Sequence, residues 1–192
     1  MTLNRIRIPG TDETIAIEQK GLPVNQEALL LLDYLNRLSQ SGFSQAADLG
    51  CGSGLMTLAL CKMFDEIHVT ALEIQEQLYQ VAANNIELNN LSPQVTLLHG
   101  DLRDKQFRPE DNSCDLVVSN PPFRKNMTGR VSPDKLLRSA NHELNGTLED
   151  FIRVGSIALQ HKGVLGLTMI PERLSELLTL MSKYHVEAYA LK

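Results

Sequence analysis

The stretch Asp48-Leu-Gly-Cys-Gly-Ser-Gly54 decides the fold of this 192-residue chain. It begins at the end of a short apolar segment predicted as a strand, residues 45–49, and a helical pattern begins near Leu55. Glycines at such a turn carry no Cβ, so the backbone can lie close to a bound cofactor. A nicotinamide dinucleotide motif, G-x-G-x-x-G, would need its third glycine at position 55, where this chain has leucine. The stretch therefore predicts a cofactor site of another kind at a strand–helix turn.

Outward from this turn, short β-rich runs alternate with amphipathic helical patterns, which is typical of an α/β fold with a mostly parallel sheet and helices on both faces. The predicted strands span residues 45–49, 68–74, 95–100, 115–119, 163–170 and 186–191. The predicted helices span about 26–39, a segment from 55, 75–89, 148–160 and a segment after 171. Thr147 with Asp150 three residues on predicts a capping pair at the start of the helix over 148–160. We predict a single domain over residues 1–192, with a helical lead-in at 1–40 and an irregular substrate loop at 124–145.

Composition limits the class of protein and its surroundings. Hydrophobic residues make up 43 % and charged residues 21 % of the chain, which predicts a soluble globular protein. No apolar run approaches the roughly 20 residues of a membrane span, and the N-terminal residues do not form a signal-peptide pattern. The three cysteines are odd in number and lack C-x-x-C spacing, which argues against a disulfide framework or a zinc site. We therefore expect a cytoplasmic protein without a membrane partner or a metal.

Acids at three successive strand ends extend the cofactor prediction. G-x-G-x-G preceded by an acid, here Asp48, is the form found in class I methyltransferases, whose ligand S-adenosylmethionine has no pyrophosphate. Glu73 lies near the end of the second predicted strand, where a carboxylate can accept both ribose hydroxyls. Asp101 ends the third, where an acid in this fold binds the adenine amine and Leu102 covers the ring. The predicted cofactor-binding residues are Asp48, Gly50, Gly52, Gly54, Glu73, Asp101, Leu102 and Asn120.

A second motif, Asn120-Pro-Pro-Phe123, follows the fourth predicted strand. An exocyclic aromatic amine is a poor nucleophile because its lone pair is delocalised into the ring. The side-chain oxygen of Asn120 and the carbonyl of Pro121 can accept its two N–H groups and direct the lone pair toward a methyl donor. Pro122 restricts Pro121 to an extended conformation, and Phe123 can stack on a flat base for roughly 1–3 kcal/mol. The motif therefore predicts an N-methyltransferase in which these four residues form the catalytic group.

The N-P-P-F motif by itself leaves the acceptor open among N6 of adenine, N2 of guanine and the side-chain amide of a protein glutamine. Between residues 121 and 142, five basic residues stand against one acid, a net charge of +4 in a chain whose net charge is −5. A basic patch beside the acceptor motif is where a phosphate backbone would bind. The candidate RNA contacts are Arg124, Lys125, Arg130, Lys135, Arg138 and His142. His142 fits packing against the following helix equally well.

Most of the chain resembles the bacterial tRNA (adenine-N6)-methyltransferases that modify the adenine beside the anticodon of a valine tRNA. The resemblance covers residues 24–32 and the motifs described above. Its more specific part is a set of later motifs. These are Lys125, Ser132-Pro133, His142-Glu143, residues 147–150 and residues 171–174. The related ribosomal guanine-N2 and release-factor glutamine methyltransferases share the first motifs without that later set.

The resemblance implies that S-adenosylmethionine is the cofactor and S-adenosylhomocysteine the product. It further implies an RNA adenine substrate in tRNA next to the anticodon, with the base swung out of its stack. Lys125 and Arg130 would then bind backbone phosphates near that base. A methyltransferase for ribosomal guanine N2 or for protein glutamine is the alternative within enzymes.

The chain departs from that family's pattern at two positions and toward its end. Asn141 stands where the family usually has arginine, and Glu27 where aspartate is usual. A class I sheet normally closes with a seventh strand paired with the sixth, and no such strand follows residues 186–191. We therefore expect the seventh strand to be missing. This expectation raises an alternative from another class, a cofactor-binding partner subunit that does not catalyse.

Overall fold

The glycine turn lies at the centre of a five-stranded parallel sheet in the computed structural model, which describes residues 3–18, 26–38, 42–122 and 146–191. The strands are β1 (Leu3–Arg7), β2 (Thr14–Glu18), β3 (Gln45–Leu49), β4 (His68–Glu73), β5 (Val95–His99), β6 (Cys114–Ser119) and β7 (Leu159–Leu167). The helices are α1 (Gln26–Arg37), α2 (Leu55–Met63), α3 (Glu76–Leu88), α4 (Leu148–Ala158) and α5 (Leu174–Lys183). The predicted α/β fold with a mostly parallel sheet is confirmed.

The order of strands in the sheet is β5-β4-β3-β6-β7, so the direction in which strands are added reverses at β3. The chain builds outward first through β4 and β5, and then returns to place β6 and β7 on the other side. In open α/β sheets, ligands bind at such a reversal, outside the carboxyl ends of the two strands that flank it. Here those strands are β3 and β6, which carry the glycine turn and the N-P-P-F motif.

Helices cover both faces of the sheet, as predicted. On one face, side chains of α1 and α2 pack against Ala46 of β3 and Val118 of β6. On the other, Phe151 and Val154 of α4 pack in a second core with Ala47. Successive residues of a strand point to opposite faces, so the short β3 contributes to both cores. Burial on both faces explains why β3 is apolar from Ala46 to Leu49 except at Asp48, while Gln45 at its start is exposed.

The start of α4 follows the predicted capping pair. The main-chain N–H of Asp150 donates to Thr147 Oγ1 over 3.2 Å, and the main-chain N–H of Thr147 donates to Asp150 Oδ2 over 3.1 Å. These bonds satisfy main-chain donors that the first turn of a helix leaves without partners. They also fix the direction of α4, which lies over the glycine turn.

The lead-in expected to be helical over residues 1–40 is helical only in its second part, at α1. Before α1, β1 and β2 form an antiparallel hairpin in which Arg7 lies opposite Thr14. Ile15 and Ile17 of β2 are both fully buried in the first core. Their spacing is the two-residue period of a strand, a signal that the helical expectation overlooked. An isolated two-stranded hairpin is marginal in water, so its packing against the domain is what stabilises it.

Residues 186–191, expected to form a sixth sheet strand, lie in no regular element. Tyr189 and Leu191 are 90 % and 75 % exposed. An alternating apolar pattern favours a strand only where a neighbouring strand completes its hydrogen-bond ladder and buries one face. A seventh strand is present among the described residues, but two of the seven form the hairpin. The sheet holds the other five, and no described strand pairs with the outer side of β7 as the closing strand of a class I sheet would.

Candidate active site

Four of the predicted groups lie side by side at the carboxyl edge of the sheet. Asp101 follows β5, Glu73 ends β4, the glycine turn follows β3 and Asn120 follows β6. Because these strands are parallel neighbours, the four groups succeed one another along the edge in that order. Residues separated by up to 72 positions in the sequence are thereby brought to one cleft. Such an edge can hold an elongated ligand that contacts each group in turn.

The glycine turn is held by main-chain hydrogen bonds to the neighbouring strand. The N–H groups of Gly50 and Cys51 both donate to the carbonyl of Leu72, over 2.8 and 2.9 Å. Gly50, Gly52 and Gly54 have φ angles of 76, 59 and 85°, in the left-handed region where glycine avoids the strain of a Cβ. Apart from Gly52 itself and its two chain neighbours, no described residue has an atom within 4 Å of the place where a Cβ on Gly52 would stand. The turn therefore offers an open backbone surface to a ligand.

Glu73 ties this turn to β4 through its carboxylate. Its Oε2 accepts the main-chain N–H of Gly52 over 2.9 Å, and its Oε1 accepts that of Gln75 over 2.8 Å. The residue is only 4 % exposed, and burial raises the pKa of its carboxyl. Each carboxylate oxygen retains capacity for a further donor. Two hydroxyl groups of a ligand can therefore bind here without displacing the bonds that hold the turn.

Asp48 is the most deeply buried acid of the site, with no exposed surface. Its Oδ2 accepts both the main-chain N–H of Thr57 over 3.1 Å and the Thr57 hydroxyl over 2.7 Å. No described residue donates to its Oδ1. Burial raises the pKa of Asp48 to about 7, against the opposing effect of the Thr57 bonds. A buried acceptor without a donor costs roughly 1–3 kcal/mol, which a ligand carrying a cationic donor can offset.

These features fit S-adenosylmethionine, which has a methionine α-ammonium, two ribose hydroxyls and an adenine. The orphaned Oδ1 of Asp48 suits the ammonium, and the two oxygens of Glu73 suit the hydroxyls. The open backbone at Gly52 leaves room for a ligand to lie against the turn. The residues present thus fit the ammonium and the ribose hydroxyls of this cofactor.

Asp101 differs from the expectation for an adenine-binding acid. Its carboxylate is paired with Arg103, whose Nε lies 2.9 Å from Oδ1 and 3.0 Å from Oδ2. Hydrogen bonding to Arg103 lowers the pKa of Asp101. An adenine amine would share this carboxylate with the guanidinium or displace it. Leu102 is 6 % exposed and packs in one core with Phe151 of α4.

Asn120 is held by its two neighbours in the sheet. The Ser119 hydroxyl, fully buried, donates to the carbonyl of Leu49 over 2.7 Å and joins β6 to the start of the glycine turn. The Thr168 hydroxyl donates to Oδ1 of Asn120. Pro121 is buried and Pro122 half-buried immediately beyond. Asn120 therefore follows the point at which β6 is joined to the start of the glycine turn, and its carboxamide oxygen is bonded to Thr168.

The rest of the predicted acceptor site lies outside the described residues. This applies to the stacking residue Phe123 and to the whole basic segment. The residues concerned are Phe123, Arg124, Lys125, Arg130, Lys135, Arg138 and His142. Within the described ranges, no group of three or more histidine, cysteine, aspartate or glutamate side chains could hold a metal ion. No helix in those ranges is long and apolar enough to cross a membrane.

Two residues of the site were not found from the sequence. Asn85 of α3 donates to the carbonyl of Ser53 in the glycine turn over 2.9 Å, and exchanges two bonds with the main chain of Glu18 at the end of β2. It thereby links the hairpin to the turn. Thr168 is the other, through its bond to Asn120. A buried polar position in the amphipathic pattern of α3 was the available signal for Asn85, whereas Thr168 gave none.

Comparison with known proteins places this arrangement in a family. Residues 24–167 match the model of the methyltransferase small domain. The chain is 30 % identical over 175 residues to the tRNA1(Val) (adenine(37)-N6)-methyltransferase of Porphyromonas gingivalis, covering 88 % of this chain and 68 % of that protein. It is 38 % identical over 87 residues to the release factor glutamine methyltransferase of Rhodopirellula baltica, covering 45 % of this chain and 29 % of that protein.

Solved structures agree on the fold. The tRNA (m1A58) methyltransferase of Aquifex aeolicus superposes with a TM-score of 0.62 at 14 % identity, over 87 % of this chain and 56 % of that one. The chain spans about half to two thirds of the length of its tRNA1(Val) relatives, 68 % of the protein from Porphyromonas gingivalis and 55 % of that from Vibrio cholerae. The chain belongs to the methyltransferase small domain family, and its sheet and helices have the class I methyltransferase fold.

Proposed function

We propose that the protein transfers a methyl group from S-adenosylmethionine to the N6 amine of an adenine in RNA, in tRNA next to the anticodon. The observation that supports this proposal is the position of Asn120 at the reversal point of the sheet, at the end of the strand next to the one that carries the glycine turn. A donor site and an acceptor site for a planar amine are adjacent there.

The donor is held by the buried acids and the glycine turn. Asp48 receives the α-ammonium at its orphaned oxygen, and Glu73 receives the ribose hydroxyls. Asp101 receives the adenine amine, with Leu102 against the ring. The cofactor supplies a methyl group on a positively charged sulfur.

Asn120 and Pro121 prepare the acceptor. The Asn120 oxygen and the Pro121 carbonyl each accept one N–H of the amine, which draws electron density back to nitrogen and leaves its lone pair directed at the donor. No general base is needed, because the methylated nitrogen is cationic and acidic enough to lose a proton to water. Holding the two reactants in line can supply on the order of 7–11 kcal/mol of the barrier reduction.

Two observations support an RNA adenine as the acceptor: the names of similar proteins and the positive charge of the segment after Pro122. The relatives that match over most of the chain are named as tRNA adenine-N6 enzymes. The basic segment that follows Pro122 supplies the charge that a phosphate backbone requires. The glutamine methyltransferase match favours a second candidate, a protein glutamine acceptor, although it covers 45 % of the chain.

Transfer of labelled methyl from S-adenosylmethionine to bulk small RNA, followed by digestion to nucleosides, tests the proposal. We expect label in N6-methyladenosine, and we expect it to disappear with Asn120→Ala. Label in N2-methylguanosine, or in a release factor offered in parallel, would move the acceptor to one of the alternatives. Binding of S-adenosylmethionine without transfer to any of these acceptors would favour a non-catalytic partner subunit instead.

A further inference from the structure

Thr168 contacts the end of β6 through both its main chain and its side chain. β7 ends at Leu167, which pairs with Ser119, so Thr168 comes beside Asn120. The Thr168 main-chain N–H donates to the carbonyl of Ser119 over 3.3 Å, while its hydroxyl donates to Asn120 Oδ1. The residue is 8 % exposed, so water has little access to this bond.

The direction of the side-chain bond follows from its chemistry. A carboxamide oxygen has lone pairs and no hydrogen, so the Thr168 hydroxyl must be the donor. The oxygen has two acceptor positions, and Thr168 occupies one of them. One acceptor position therefore remains for an N–H of the acceptor amine.

The carboxamide of an asparagine does not orient itself. Its terminal torsion is broad and roughly two-fold, and its oxygen and nitrogen ends have nearly the same shape. In the reversed orientation, the NH2 group of Asn120 would face the amine, and two donors would then oppose each other. A hydroxyl can donate to the oxygen or accept from the NH2 group, so the bond to Thr168 limits the torsion of the carboxamide, and in the structure the oxygen is the end that it holds.

We propose that Thr168 is a positioning residue for the methyl transfer, because its hydroxyl holds the Asn120 oxygen toward the acceptor amine. This inference rests on the proposed function, in which Asn120 binds that amine. Ser119 has a different role, because its hydroxyl joins β6 to Leu49 and does not bond to the carboxamide. The orientation of Asn120 thus depends on a residue 48 positions further along the chain.

Thr168→Val and Thr168→Ser separate the hydroxyl from the shape of the side chain. Valine keeps the branched shape and removes the donor, whereas serine keeps the donor. Thr179→Val is the matched control, because Thr179 is exposed on α5 and its hydroxyl bonds only to its own helix among the described residues. For each chain, kcat and KM for RNA, the Kd of S-adenosylhomocysteine and the melting temperature are measured.

We expect Thr168→Val to lower kcat by roughly 10- to 100-fold, the scale on which small misplacements of a catalytic group act. The Kd of S-adenosylhomocysteine should stay near the wild-type value, and Thr168→Ser should restore most of kcat. Unchanged kcat in Thr168→Val overturns the inference. A parallel loss of cofactor binding and of melting temperature also overturns it, since the role would then be structural.

Nuclear magnetic resonance tests the same inference without any substrate. With 15N-labelled asparagine, the side-chain NH2 signals of Asn120 are those missing from Asn120→Ala. We expect them to shift and exchange faster with water in Thr168→Val, and to remain in place in Thr168→Ser and Thr179→Val. Should the wild-type chain methylate no RNA, the proposed function fails while these signals still decide the positioning. Identical Asn120 signals in wild type and Thr168→Val overturn the positioning role of Thr168.

Discussion

The two sides of the active site are held by different kinds of interaction. On the donor side, the glycine turn is fixed by main-chain N–H groups, which donate to Leu72 and to the buried carboxylate of Glu73. Asp48 is fully buried there with one oxygen left without a donor among the described residues. On the acceptor side, one carboxamide, that of Asn120, is oriented by one hydroxyl, that of Thr168.

This difference predicts which substitutions change cofactor affinity and stability and which change kcat. A buried acceptor without a partner destabilises the cofactor-free chain, and the bound cofactor regains that free energy. We therefore expect changes on the donor side to alter both cofactor affinity and the free energy of unfolding. A single oriented carboxamide contributes little to folding, so we expect changes on the acceptor side to alter kcat while leaving affinity for the cofactor almost intact.

The largest effect should come from Asn120→Ala. Removing one preorganised group that acts on the reacting atoms typically lowers kcat by about 100- to 1,000-fold. The Kd of S-adenosylhomocysteine should change by less than about 3-fold, below 1 kcal/mol. Steady-state kinetics with RNA and calorimetric titration of the product measure the two quantities. A large loss of affinity would show that Asn120 also holds the cofactor, and the two sides would then not be separable.

Asp48→Asn should have opposite effects on binding and on folding. Asparagine can still accept from Thr57, but it removes the buried charge, so we expect the free energy of unfolding of the cofactor-free chain to rise at pH 8 by roughly 1–3 kcal/mol. Loss of the charged partner of the α-ammonium should weaken cofactor binding by about 10- to 100-fold, because a hydrogen bond between charged groups contributes roughly 1.5–3 kcal/mol.

Denaturant unfolding and calorimetry test this pair of effects. Asp65→Asn is the control, because Asp65 is exposed and the substitution removes the same charge. A variant that loses stability together with affinity would mean that Asp48 supports the fold, contrary to the comparison of the two sides.

The pH dependence should follow Asp48. Its folded pKa of about 7 lies above the unfolded value of about 3.9, so the native chain binds this proton more tightly than the unfolded chain. The unfolding free energy of the cofactor-free chain should therefore fall as pH rises from about 4 to 7, and this slope should be smaller in Asp48→Asn, in which the raised pKa of Glu73 still contributes.

Cofactor affinity should change in the opposite direction. Only ionised Asp48 attracts the α-ammonium, so the Kd of S-adenosylhomocysteine should be roughly 10-fold higher at pH 6 than at pH 8. Titrations across this range, with Asp48→Asn alongside, measure the effect. An equally steep profile in Asp48→Asn would assign it to another group.

The smallest effect should come from Arg103→Ala. Arg103 forms an ion pair with the carboxylate of Asp101, and both side chains are partly exposed. An exposed ion pair contributes about 1 kcal/mol or less, so freeing Asp101 should tighten cofactor binding by no more than roughly 5-fold. Calorimetry at low and high salt measures it. Weaker binding in the variant would indicate that Arg103 itself contacts the cofactor.

The sequence was sufficient for the parts of the molecule that local rules govern. The glycine pattern predicted the turn at Gly50–Gly54, whose positive φ angles the structure confirms. The strand ends at Leu49 and Ser119 were predicted at the right residues, because apolar runs end where a strand leaves the core. The capping pair at Thr147 and Asp150 was predicted for the same local reason.

Elements that depend on a distant partner were predicted less well. Residues 186–191 have a strand-like alternation, yet they form no strand in the described chain. The hairpin of β1 and β2 was expected to be helical. Instead, Asn85 of α3 and Asn89, which follows that helix, hold its second strand by bonds to the main chain of Glu18 and Ala16. Those bonds join residues far apart in sequence, so the local sequence pattern does not predict them.

By itself, the sequence determined the class of sheet, the cofactor turn and the identity of the acids and the carboxamide that surround it. Tertiary structure alone decided that Asp48 keeps an unsatisfied oxygen, that Arg103 occupies Asp101 and that Thr168 orients Asn120. The physical reason is the distance along the chain over which each property is determined. Turn geometry and periodicity are properties of neighbouring residues, whereas burial, pKa and the orientation of a side chain depend on atoms that folding brings from elsewhere in the chain.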